Sequence, residues 1–228
     1  MEPKQLTVSP IVVGASTVGM VYKDGVLLCT DTMASYGSLR KFKTAYRIAQ
    51  VGHNTLIASS GEYSDFQETV RILQETALAD WVHQDGVGLG AAHYANYLSA
   101  ILYQRRNKGD PLYNASLVAG IVGGSPYLAY LDLYGLKLEG AWQVSGMASY
   151  LCRGILGTEH RPDMTEAEAK TLAEKCMRAV FYREARAHDS IQFATITRHG
   201  QNIEKPYVFE STWNLQGFKD YSLNPLYP

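Results

Sequence analysis

Cysteine is scarce and odd in number. Cys29, Cys152 and Cys176 are the only three and lie far apart, which excludes a dense disulfide framework and fits free thiols in a reducing compartment. No HExxH or CxxC spacing occurs, so neither a metal nor a cofactor is expected. An excess of one charge sign is also missing: 21 basic and 22 acidic residues leave a formal charge of −1. No cluster of Lys and Arg is longer than Arg105-Arg106-Asn107-Lys108, which reads as a solvated loop, so nucleic acid and membrane surfaces are not expected partners. No apolar run approaches the ~20 residues of a membrane span, and the stretch after Met1 lacks the apolar core of a signal peptide. The expectation is a soluble protein of the cytoplasm and nucleus.

What is present is enough apolar residue for one sizeable core, 46% of 228 residues. Residues 11–31 form two apolar runs joined by Lys23-Asp24-Gly25, and Asp-Gly between such runs predicts a hairpin whose turn needs positive φ. A second hairpin is predicted around Gly52-His53-Asn54. The period then changes: Phe66, Val70, Leu73, Ala77 and Trp81 mark one amphipathic helix, and Tyr94, Leu98, Ile101 and Leu102 a second that ends before the 105–111 segment. Strands return at 116–122, 127–132 and 136–141, separated by glycine turns. A short helix follows Gly146. A longer one starts at Thr165, whose spacing to Glu168 matches a capping box, and carries Ala169, Leu172, Cys176 and Val180 on one face. Two last strands, 191–197 and 203–209, are linked by Arg198-His199-Gly200-Gln201. Blocks of hairpin-linked strands with paired helices between them predict an α+β fold of antiparallel sheets covered by helix layers.

Several stretches together resemble a proteasome β-type subunit of the N-terminal-nucleophile hydrolase fold. They are the hairpin G-A-S-T-V-G-M-V-Y-K-D-G-V-L-L-C-T-D from Gly14, the segment A-S-Y-G-S-L at 34–39, Y-Q-R-R-N-K-G-D-P-L-Y-N at 103–114, and F-Y-R-E-A-R at 181–186. Within that family the last three resemble the beta type-4 branch, and their joint occurrence in order makes the likeness specific over about residues 11–228. The resemblance implies a four-layer αββα sandwich. It also implies a propeptide-like segment at 1–14, a β-type domain at 15–208 and a C-terminal arm at 209–228.

An active member needs a Thr or Ser freed by self-cleavage after a glycine, because the hydroxyl attacks while the new α-amine takes its proton. The resemblance places Gly14 at the scissile position and Ala15 at the nucleophile, and alanine has no hydroxyl. Asp31 matches the family's buried aspartate. Arg47 stands at a lysine that tunes the amine, and arginine cannot lend or take that proton. Met147 stands at one serine, Glu184 at an aspartate and Ala187 at a second serine. The expectation is therefore a non-catalytic ring subunit whose partners are other α- and β-type subunits in stacked seven-membered rings. Trp213, Phe218, Tyr221 and Tyr227 in the arm are the candidate partner contacts, since aromatic side chains are favoured interface anchors. Two alternatives stay open: an active threonine or serine peptidase using Ser16 or Thr17, and a free-standing binding protein sharing the fold.

Overall fold

The computed structural model describes residues 10–83 and 86–214. The chain opens with strands β1 (Val12–Gly14), β2 (Ser16–Tyr22), β3 (Gly25–Asp31), β4 (Ala34–Tyr36), β5 (Leu39–Phe42), β6 (Ile48–Val51) and β7 (Thr55–Glu62). Helices α1 (Tyr63–His83) and α2 (Ala91–Asn107) follow, then β8 (Asn114–Val122), β9 (Ser125–Leu131), β10 (Lys137–Glu139) and β11 (Trp142–Gly146). Helices α3 (Ala148–Leu151), α4 (Arg153–Glu159) and α5 (Glu166–Arg183) lead into β12 (Ser190–Thr197), β13 (Gly200–Ile203) and β14 (Tyr207–Val208).

All strand pairs are antiparallel. One sheet runs β10-β9-β8-β7-β1-β4-β5 with β6 beside β7; the other runs β11-β2-β3-β12-β13 with β14 beside β12. Between them lies an apolar seam that includes Val26, Leu28, Leu56, Leu117, Leu128 and Ile196. Helices α1 and α2 cover the outer face of the first sheet through Phe66, Leu73, Tyr94 and Leu98. Helices α3 to α5 cover the second through Leu156, Leu172, Cys176 and Val180. These are the four layers of the αββα sandwich. Strand β3 is buried at every position because Val26 and Leu28 enter the seam while Leu27 and Cys29 meet the helices, and each such side chain contributes about 1.5–3 kcal/mol by leaving water.

Five expectations are corrected. The apolar run 11–22 is not one strand: it breaks at Ala15, with β1 in the first sheet and β2 in the second. Gly25 opens β3 rather than holding a positive φ, and a side chain is excluded there because its Cβ would lie 2.1 Å from the Ile196 carbonyl oxygen. Helix α2 continues through Arg105 and Arg106 to Asn107, stopping where Gly109 adopts φ +66°. The 203–209 stretch is not continuous either, because Pro206 lacks an N–H for the ladder and the chain divides into β13 and β14. On α1, Trp81 falls off the apolar stripe and is 60% exposed.

The capping box forms as its spacing predicts. Thr165 Oγ1 accepts from the Glu168 N–H at 3.3 Å, while the Glu168 carboxylate accepts from the Thr165 N–H at 2.7 Å. The Thr165 N–H, joined by the Thr165 hydroxyl donating to the same oxygen at 2.9 Å, holds the Glu168 carboxyl below its ordinary value of 4.5. A folded-state value below the unfolded one stabilises the fold above pH 4.5 and loses that contribution as the pH falls through it. Thr165→Ala is expected to cost about 1 kcal/mol, read as a lower urea midpoint at pH 7, with a smaller difference at pH 3.5.

Candidate functional site: a closed nucleophile position

The N-terminal stretch is held from three directions. Strand β1 lies between β4 and β7, with Val13 opposite Ser35 and Glu62, and Gly14 opposite Ala34 and Gly61. One oxygen of the buried Glu62 clamp, Oε2, accepts from the N–H groups of Ile11 at 2.5 Å and Val12 at 2.8 Å. Ala15 is the link by which the chain leaves this sheet for β2 in the other. Its nitrogen is therefore tied into a backbone that is paired immediately upstream.

Arg47, just before β6, lies directly against Gly14. A Cβ at Gly14 would stand 2.4 Å from Arg47 Cδ, so glycine is required there for packing, apart from any cleavage chemistry. The guanidinium is 1% exposed. It pairs with Asp31 Oδ1 and donates to the carbonyls of Asp31 at 2.9 Å, Ser16 at 3.3 Å and Ser59 at 3.0 Å. Ser59 belongs to the first sheet and the other two to the second, so the one side chain ties both sheets together. The other Asp31 oxygen accepts from the His188 N–H at 3.1 Å. Burial pushes the Asp31 carboxyl up and the Arg47 guanidinium down, each opposed first by its partner's charge. A guanidinium keeps its proton throughout the accessible pH range, so the pair holds structure and does not shuttle protons.

The two hydroxyls after Ala15 are both fully buried. Ser16 Oγ accepts from the Ala148 N–H at 3.0 Å, where α3 begins. Thr17 Oγ1 bonds Ser145 Oγ, which donates to Ser60 Oγ at 2.8 Å. This buried chain of hydroxyls crosses from one sheet to the other, and each member is occupied by another protein group.

Above this layer a cleft of about 410 Å³ opens, lined among others by Gly14, Ala15, Gly61, Tyr130, Met147 and Arg186. Of the residues expected at the site, Ala15 and Met147 reach the cleft. Asp31 and Arg47 lie buried beneath it. Glu184 caps the end of α5 and binds Arg186 through Oε1 at 3.1 Å. Ala187 is buried, its carbonyl accepting from Arg40 at 2.9 Å. Neither Glu184 nor Ala187 lines the cleft; their loop meets the site through Arg186, which lines the cleft, and through the His188 N–H on Asp31. Trp213 packs edge-on against Phe181 at 5.7 Å and Tyr182 at 4.9 Å, while 67% of it stays exposed. Phe218, Tyr221 and Tyr227 lie outside the described residues.

Sequence reasoning missed the Glu62 clamp, the Ser60–Ser145 bridge and strand β11 that carries it. Only one of these had a local signal: an otherwise apolar strand ending in Ser59-Ser60.

Two antiparallel sheets between helix layers, with a glycine-flanked chain crossing set over a buried Asp and a basic residue, define an N-terminal-nucleophile hydrolase sandwich. Comparison with known proteins narrows this. The family model described as "Proteasome subunit" matches residues 11–196. Proteasome subunit beta type-4 of Arabidopsis thaliana is 38% identical over 217 residues, covering 95% of this chain and 88% of the relative. Proteasome subunit beta type-4 of Dictyostelium discoideum is 35% identical, covering 92% and 83%. A probable proteasome subunit beta type-7 of Schizosaccharomyces pombe is 36% identical, also covering 92% and 83%. The chain belongs to the proteasome β-type subunit family, and that membership implies assembly with other proteasome subunits.

Proposed function

We propose that this chain is a non-catalytic β-ring subunit of the 20S proteasome core particle, supporting particle assembly for ATP- and ubiquitin-dependent protein degradation in cytoplasm and nucleus. The observation that carries the reading is Ala15: the position that the fold presents to the cleft bears no hydroxyl, and its nitrogen continues into a strand paired on both sides. Arg47 and Met147 support it, replacing a proton-transferring amine and a hydroxyl with groups that do neither. The peptidase alternative requires Ser16 or Thr17, and their burial and hydrogen bonding argue against either as a nucleophile.

In this reading the subunit occupies one place in a seven-membered β ring that stacks on another β ring and on an α ring. The arm at 209–228 reaches across to subunits of the opposite β ring and so supports the pairing of half-complexes. Its root supports that role: Phe209 is buried against Phe181, and Trp213 keeps one face open. An epoxyketone probe, which needs a hydroxyl and a free amine on one residue, is expected to leave the intact mass of this chain unchanged in the purified particle. A stoichiometric adduct on this chain would show that it is catalytic after all.

A further inference from the structure

From Thr32 through Gly61 the chain contains no aspartate or glutamate, yet Arg40, Lys41, Lys43 and Arg47 all fall within that stretch. Arg47 is neutralised by Asp31. The other three sit on or next to the β4–β5 hairpin. None has a carboxylate within ion-pair distance among the described residues; Arg40 donates only to the Ala187 carbonyl, and Lys41 lies over the rings of Tyr36 at 5.8 Å and Phe42 at 5.2 Å. Elsewhere Arg71, Lys137, Arg161 and Lys175 have carboxylate partners; single cations such as Arg153 and Arg198 lack an ion pair too, but among the described residues only this hairpin gathers three such cations within four positions.

The same hairpin is unusually apolar for its exposure. Tyr36, Leu39, Phe42 and the adjacent Tyr46 are each 47–59% exposed. Strand β5 is the outermost strand of its sheet, and its far edge pairs with no strand among the described residues. Lysines on an edge strand by themselves discourage further pairing. Four large apolar side chains beside them make the edge a liability unless something covers it, and uncompensated positive charge selects what that is.

We propose that the β4–β5 hairpin docks an extended, carboxylate-bearing segment of another subunit of the same particle, laid along the open edge of β5. Backbone groups of that segment extend the ladder, its apolar side chains rest on Tyr36, Leu39 and Phe42, and its carboxylates pair with Lys41 and Lys43. The proposal rests on the ring-subunit reading and goes beyond it by assigning a surface and the chemistry of its partner.

The test is amine acetylation of the intact purified particle and of the full chain expressed alone, read peptide by peptide, with carbodiimide cross-linking of the particle in parallel. Lys41 and Lys43 are expected to react at least tenfold more slowly in the particle, and to cross-link to an Asp or Glu of a different subunit. The variant K41E/K43E is expected to enter the particle at least fivefold less well while melting at the wild-type temperature as a free chain. Equal acetylation rates in a particle that contains the chain overturn the proposal and leave the ring-subunit reading intact. So do cross-links that run only to this chain's own carboxylates or to a second copy of it. Absence of the chain from the particle sinks the ring-subunit reading, and this proposal with it.

Discussion

Asp31→Ala is expected to destabilise the chain by about 3–5 kcal/mol, because removing one partner of a buried ion pair strands the other charge in a low-dielectric interior. Set against a typical total of ~5–15 kcal/mol, such a loss removes a large share of the stability. Three terms set the magnitude. Arg47 remains 1% exposed with nowhere to find water. The His188 N–H loses its acceptor, which brings the loop after α5 away from the site. Against these, the guanidinium keeps the carbonyls of Ser16, Ser59 and the residue at 31, which holds the cost below that of a fully orphaned charge. Asp31→Asn preserves an acceptor without the charge and should fall between wild type and Asp31→Ala. Replacing Asp31 and Arg47 together by Leu and Met should recover a good part of the loss, since a paired apolar replacement removes the desolvation cost along with the attraction. Urea unfolding of wild type, Asp31→Leu, Arg47→Met and the double replacement gives a double-mutant cycle. Additive single losses would mean that Asp31 and Arg47 do not act as a pair.

The parts of this fold legible in the sequence are those whose cause is local. The Thr165–Glu168 box spans three residues and the α5 stripe repeats within one helix, so spacing alone recovers both. The Lys23–Gly25 hairpin is legible for the same reason, although its glycine is fixed by the Ile196 carbonyl of a strand far along the chain and not by the turn. The site divides in the same way. That position 15 lacks a hydroxyl is a one-letter fact. What surrounds it is assembled from distant pieces: Glu62 clamps a backbone 50 and 51 residues upstream, and Ser60 meets Ser145 across 85 residues. No period or motif encodes such pairings. The run 11–22 shows why even a strong local signal misleads, since a continuous apolar stretch does not reveal that two sheets share it. Trp81 fails from the opposite side: it satisfies the helical spacing, but the stripe outlasts the sheet face that it covers.

Those distant contacts also change what the glycines of the site signify. Gly14 stands at the scissile position that the family resemblance implies and Gly146 directly before Met147, and each is required here by a steric contact that would exist without catalysis. For Gly14 the contact is with the Arg47 side chain, which Asp31 and three carbonyls hold in place. For Gly146 it is with backbone.

Gly146→Val is therefore expected to be the most damaging single substitution at the site. Gly146 closes β11 opposite Ser16 and adopts φ +65°, a conformation that costs an L residue about 1–2 kcal/mol, more when it is β-branched. A Cβ there would lie 1.9 Å from the Ala15 carbonyl oxygen and 3.0 Å from its carbon. No rotamer relieves an overlap between Cβ and backbone, so either the Ala15 crossing or the start of α3 must move. Moving the crossing pulls Gly14 off Arg47. Moving α3 breaks the Ala148 N–H to Ser16 Oγ bond and drags Ser145 from Thr17. Either path adds buried unpaired groups to the strain, and the total is expected to exceed about 4 kcal/mol, the range reserved for named steric and network failures. Gly157→Ala is the matched control: that glycine lies in α4, and a Cβ added to it would meet no atom within 4 Å, so the change should stabilise by up to about 1 kcal/mol through helix propensity. If thermal unfolding placed Gly146→Val within about 1 °C of wild type, a shift worth only a few tenths of a kcal/mol, the crossing at Ala15 would have to be loose, and the firm hold on position 15 that supports the non-catalytic reading would lose its physical basis.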